Sequence, residues 1–147
     1  MISNQALMRT FAAPDFLSLA HRSDLDFLVA RWLRPVSGEE TRWGYQLILE
    51  AAQQCRCPYW LLDGRRRQPA DADTTRWGLE EFFPQLAGKM GRPICMSQLL
   101  SPDYQQLTEE LPAFQAADHD PNRTYQMRRF NDETRAVQWL QQAQAGK

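Results

Sequence analysis

The stretch CPYWLLDGRRRQ, residues 57 to 68, concentrates side chains equipped for chemistry: Asp63 after a four-residue apolar run, then Arg65, Arg66 and Arg67. In α/β folds the polar exit at the carboxyl end of a parallel strand is where ligands are held. Asp63 and the three arginines are therefore the candidate ligand or partner contacts. A plainer arrangement competes with that one. Asp63 would accept from loop amides and Arg65, while the arginines stay solvated or pair with the acidic loop 71–73. Neither G-x-x-x-x-G-K nor G-x-G-x-x-G occurs, so no glycine-rich loop is present to cradle a phosphate. Three arginines are also too few for a nucleic-acid footprint.

The remaining reactive side chains are scattered. Cys55 and Cys57 form C-x-C rather than the two-residue spacing of zinc knuckles, with Cys95 apart and only His21 and His119 as imidazoles. One thiol of the close pair is expected in the core and the other at a helix end. His21 lies on a strand with no partner in sight, and His119 sits between Asp118 and Asp120 in a loop, where solvation is expected. Ser97 and Ser101 lack a nucleophile-elbow context. These residues nominate no catalytic group, no metal site and no cofactor.

Composition narrows the classes further. The chain has 147 residues, 43% hydrophobic and 24% charged, which suits one globular domain with a real core. A net charge of −1 gives no global field for nucleic acid or an anionic membrane. The odd cysteine count and the lack of an export-type h-region or a membrane span point to a cytoplasmic protein with free thiols.

The elements that must position these side chains follow from periodicity and caps. Residues 1–15 read as a flexible N-terminal arm, and residues 16–145 as a single domain. FLSLAHR (16–22) and FLVARWLRPV (27–36) pair as an antiparallel hairpin around the turn SDLD. Ser37 and Glu40 make a capping box, after which Gly44, Leu47, Ile48, Ala51, Ala52 and Cys55 trace a helical stripe of mostly small residues. Tyr59–Leu62 reads as a central buried strand. A helix capped by Asp71 or Asp73 follows, kinked at Pro84. Next come a strand at 94–100, a short helix from Ser101 to about Leu111, a loop over PAFQAADHDPN, a strand at 124–130 and a last helix capped by Asn131 or Asp132. The order β β α β α β α β α describes an α/β protein. It has a mixed five-stranded sheet, an N-terminal antiparallel hairpin and about four helices.

Within that frame, Trp60, Leu61, Leu62, Asp63 and Arg65, then Trp77, Phe82, Phe83 and Pro84, and finally Trp139 and Leu140, resemble STAS-like domains related to bacterial anti-sigma-factor antagonists. More narrowly they are similar to small bacterial STAS/Sec14-like proteins, over roughly residues 16 to 142. The resemblance implies a STAS-like fold and a non-enzymatic regulatory or protein-interaction module. A small apolar-ligand (lipid) carrier of Sec14-like type is the alternative. Phosphorylatable antagonists carry an Asp-Ser-Ser-Gly-type segment where the helix follows the central strand. Here Asp73-Thr74-Thr75 stands nearest, which makes Thr74 and Thr75 the candidate phosphoswitch, or else simply part of a helix start.

The partner expected is a protein, with a homodimer first, and neither nucleic acid nor a membrane span. Five tryptophans are more than so small a domain buries easily, so one or two are expected at a groove or subunit contact. The carrier alternative requires an apolar cavity of several hundred cubic ångströms beneath the helices, on the order of the usual ligand site. A chain of this length has little room for it.

Overall fold

The computed structural model describes residues 7–146. Its scaffold is one six-stranded mixed sheet whose spatial order equals the chain order. β1 (Met8–Phe11), β2 (Leu17–Arg22) and β3 (Phe27–Trp32) form an antiparallel meander. β4 (Tyr59–Asp63), β5 (Cys95–Leu99) and β6 (Gln126–Phe130) continue it in parallel from β3. Every residue of β4 is buried, as its unbroken apolar run requires of a central strand.

Two expectations need correction. The sheet has six strands rather than five, because residues 8–11 of the supposed arm hydrogen-bond along β2. Three of those four residues are exposed, so β1 carries little of the alternating burial that marks a strand in sequence. The rest of the arm's beginning, residues 1–6, lies outside the described residues. PAFQAADHDPN is not all loop: α4 (Pro102–Glu110) gives way at Leu111 to a second short helix, α5 (Pro112–Asp118). Pro112 there occupies the first helical turn, where a missing amide costs nothing.

The other helices form for reasons visible locally. α1 (Gly38–Cys55) opens on the capping box, with the Ser37 hydroxyl accepting from the Glu40 amide and the Glu40 carboxylate accepting from the Ser37 amide. α2 (Ala72–Trp77) is capped by Asp71, then passes through a π turn (Gly78–Phe82) into α3 (Phe83–Met90). Pro84 has no amide to return to the preceding turn, and the helix widens just before it. α6 (Glu133–Ala145) follows an Asp132 cap. Counting α2, the π turn and α3 as one run, there are five helical segments among the described residues.

The sheet alternation sorts the core. Leu28, Ala30 and Trp32 line up with Trp60, Leu62 and Met96 on the face covered by α1 and α3. Gly44 lets α1 settle on the Trp32 ring: a Cβ there would come within 2.5 Å of the indole. The opposite face takes α6, to which the buried Ser97 hydroxyl donates through the Ala136 carbonyl at 2.8 Å. The carboxyl ends of β3, β4 and β5 therefore emerge between two helical layers.

Candidate functional site

Asp63 ends β4 on the α6 side. Its Oδ2 accepts from Arg31 Nη1 at 2.7 Å and from Arg65 Nη2 at 2.8 Å, and its Oδ1 takes the Arg65 amide and Nε. Glu133, in the first turn of α6, accepts from both Arg31 and Arg65. Burial is the largest single influence on the Asp63 carboxyl and opposes its ionisation. The hydrogen bonds from Arg65 and Arg31 together outweigh it and hold the group below the ordinary carboxylate range. Two carboxylates thus meet two guanidinium groups, and the cluster is internally neutral. Arg66 is exposed beside it, on the rim of an open groove.

The three arginines therefore part company. Arg65 does not reach the acidic loop 71–73; it pairs with Asp63 and Glu133. Arg67, expected in solvent or paired with loop 71–73, is 8% exposed and turns to the other face of the sheet. Its guanidinium lies 4.6 Å from the Trp32 ring centre, and Nη2 donates to Thr41 Oγ1 at 2.8 Å. No carboxylate among the described residues lies within ion-pair distance of it. Stacking on the indole and the long apolar stem explain why an arginine settles here at all.

Arg67 borders a cavity of about 50 Å³ at the carboxyl ends of β4 and β5, beneath α1, α2 and α4. Tyr45, Tyr104, Gln98, Thr41, Thr74 and Thr75 supply its other polar side chains. Burial pushes the Tyr45 phenol up to about 12, against the opposing pull of the Arg67 charge. Tyr45 and Gln98 carry no motif. Tyr45 could have been noticed as a polar-tipped aromatic beside the small-residue stripe of α1. Nothing in a loop sequence separates Arg67 from Arg65.

Thr74 is 5% exposed, and its hydroxyl faces Gly38, where a Cβ would approach it to 2.6 Å. Its amide donates to the Asp71 cap at 2.7 Å, while the Thr75 hydroxyl reaches the Ala70 carbonyl at 3.5 Å. In this arrangement the pair sits at the start of α2, with the Thr74 side chain buried.

At the opposite edge of the sheet, His21 is not without a partner: Nε2 lies 3.0 Å from Asp26 Oδ1. With Cys57 the two bring their ligand atoms within 4.8 Å of one another. Cys57, however, is fully buried and directs its thiol at the Asp26 and Tyr59 carbonyls, both at 3.3 Å. Those acceptors favour the protonated thiol, whereas a metal needs thiolate. Cys55 closes α1 and is half-buried. His119 caps the α5 end through Nδ1 and the Gln115 carbonyl at 2.8 Å.

Comparison with family models, with curated proteins and with solved structures finds no match. No helix among the described residues is long and apolar enough to cross a membrane.

Proposed function

We propose that this chain is a non-enzymatic, STAS-like regulatory module that works in the cytoplasm by binding a protein, first of all a second copy of itself. The observation that carries the reading is Trp43. It is 53% exposed, the most open of the large apolar side chains described, and meets Phe16 edge-on at 5.6 Å. Leu33, 37% exposed, is tied to the same residue through its amide and the Phe16 carbonyl, and the Arg34 guanidinium covers the Phe16 ring. A tryptophan flanked by an aliphatic and an arginine has the make-up of an interface centre.

Against catalysis stands the occupation of the obvious groups. The Ser97 hydroxyl serves α6, the Ser101 hydroxyl caps α4, and each histidine is held in a structural contact. The lipid-carrier reading is weaker because the cavity under the helices is about 50 Å³, well short of the several hundred a ligand of that kind fills.

Sedimentation of the purified chain tests the proposal. The expected mass is twice 17.1 kDa, and Trp43→Ser should yield monomer with an unchanged circular dichroism spectrum. A monomeric wild type at about 100 μM, where even weak specific contacts form, would overturn self-association. So would a dimer indifferent to Trp43→Ser.

A further inference from the structure

The cavity beside Arg67 has a chemical character that the exposed Trp43 face does not explain. Its lining contains one cation and no carboxylate. The Arg67 guanidinium spends one nitrogen on Thr41 and reaches the Gln68 carbonyl only at 3.5 Å, which leaves Nη1 without a partner among the described residues. Tyr45 and Tyr104 are 7% and 9% exposed, and neither hydroxyl makes a hydrogen bond with any described residue. The Gln98 side chain accepts from Arg129 through Oε1, and its amide nitrogen is likewise unused.

No buried side-chain polar atom among the described residues lacks a hydrogen-bond partner, so these four donors remain reachable by solvent. They border one small space at the carboxyl edge of parallel strands, the usual place for a ligand in such sheets. The nearest other charges do not neutralise Arg67. Arg129, a second cation, is paired with Asp118, and Asp71 is committed to the α2 cap.

We propose that this cavity is a binding site for a small organic monocarboxylate. The single unpaired guanidinium matches one negative charge, and the phenols and the Gln98 amide supply the further donors a carboxylate accepts. Leu62, Leu79, Leu100, Phe83 and Phe114 make the remaining wall apolar, which suits a short hydrocarbon tail rather than a fully hydrated phosphate. About 50 Å³ of cavity would otherwise take roughly three or four waters, a bulk comparable to acetate or propionate. The site is independent of the dimer proposed above.

Thermal melting with sodium acetate, propionate and butyrate, against sodium chloride and phosphate at equal ionic strength, tests it. The expected result is a saturable rise in melting temperature with a short carboxylate and none with chloride or phosphate. Arg67→Met should abolish the rise. Tyr45→Phe and Tyr104→Phe keep the rings and remove only unbonded hydroxyls. Each should melt at or above the wild type without ligand, yet bind the carboxylate about tenfold more weakly or worse, as loss of a bond to a charged group implies. A carboxylate effect no larger than that of chloride would mean that water alone fills the cavity, and overturns the proposal. So does tighter binding of phosphate, or unchanged carboxylate affinity in both phenylalanine variants.

Discussion

The Arg67 guanidinium lies over the Trp32 ring at 4.6 Å, and the same indole stacks at 6.2 Å on Phe16, the residue that Trp43 abuts from the surface. The interior cavity and the exposed tryptophan are thus joined by a continuous aromatic stack. Arg67 is a buried cation without a carboxylate, so its contribution to stability should be small. Arg67→Met gives up the cation–π contact and one hydrogen bond, a loss of roughly 1–3 kcal/mol. It also relieves an uncompensated buried charge at comparable gain. The unfolding free energy of Arg67→Met in urea is expected within about 1 kcal/mol of wild type. Arg67→Glu, which places a carboxylate in the same space beside two phenols, should be far less stable.

Gly44 and Gly88 should respond in opposite directions to the same change. At Gly44 a Cβ meets the Trp32 ring at 2.5 and 2.7 Å, so the indole or the helix must move. The better helix propensity of alanine returns about 1 kcal/mol, against an overpacking cost of about 1–3 kcal/mol. Gly44→Ala is expected to be destabilising and to weaken carboxylate binding through the displaced ring. At Gly88, within α3, a Cβ meets nothing within 4 Å. Gly88→Ala should stabilise by about 0.5–1 kcal/mol. Paired thermal melts of the two variants decide the matter.

Much of this frame is legible in the residues themselves. Ser37 and Glu40 announce α1, Tyr59–Leu62 announces the central strand, and Ser101 marks a helix start. Two more starts are narrowed to Asp71 or Asp73 and to Asn131 or Asp132, of which Asp71 and Asp132 are the caps found. β1 is harder to see because Met8, Arg9 and Thr10 are exposed and carry no period. α5 hides in a segment rich in the residues of loops, stabilised by Phe114 beneath the Arg129 guanidinium rather than by an apolar stripe. The site divides the same way. Asp63 and Arg65 are visible as an acid and a base two residues apart. The cavity is assembled from α1, the loop after β4, β5 and α4, and no short sequence window contains it.

Asp63 should make the fold acid-sensitive. Its carboxyl titrates lower in the folded chain than in the unfolded one, so the unfolded state binds the proton first. The stability this gives is present above the unfolded value of about 4 and is lost as the pH falls through the lower folded value. Asp63→Asn should therefore lower stability at neutral pH by about 1–3 kcal/mol, a charged hydrogen-bond partner being removed from two arginines. It should also flatten the acid limb of stability below about pH 4. Urea titrations across that range measure both effects. An acid limb identical in Asp63→Asn and wild type would assign the sensitivity elsewhere.

The cysteines should separate by reactivity. Cys57 is fully buried, and its thiol points at two carbonyls. Hydrogen bonding to Cys55 and burial both push its thiol up. Cys55 is half-buried, and the neighbouring Cys57 thiol lowers its pKa. Because thiolate is the nucleophile, iodoacetamide at neutral pH should label Cys55 in the native chain and spare Cys57 until the protein unfolds. Peptide mass mapping with and without denaturant reads the order. Rapid native labelling of Cys57 would place it outside the core.

Tyr45 predicts the behaviour at the alkaline end. Burial stabilises its neutral phenol, and the nearby Arg67 charge only partly offsets this, so the folded group titrates near 12. An unfolded tyrosine loses its proton near 10. Between those values the folded chain holds a proton that the unfolded chain has released, and stability falls as pH rises through the interval. The stabilisation is intact below about pH 10, and the full loss is on the order of 2–3 kcal/mol. Tyr45→Phe has no proton to lose there. Its stability should match or exceed that of the wild type at pH 8 and pull away progressively above pH 10, as free energies from urea unfolding at matched pH will register. Parallel alkaline curves for the two proteins would mean that the Tyr45 hydroxyl is solvated in the folded chain, and the unpaired donors of the cavity would then number one fewer.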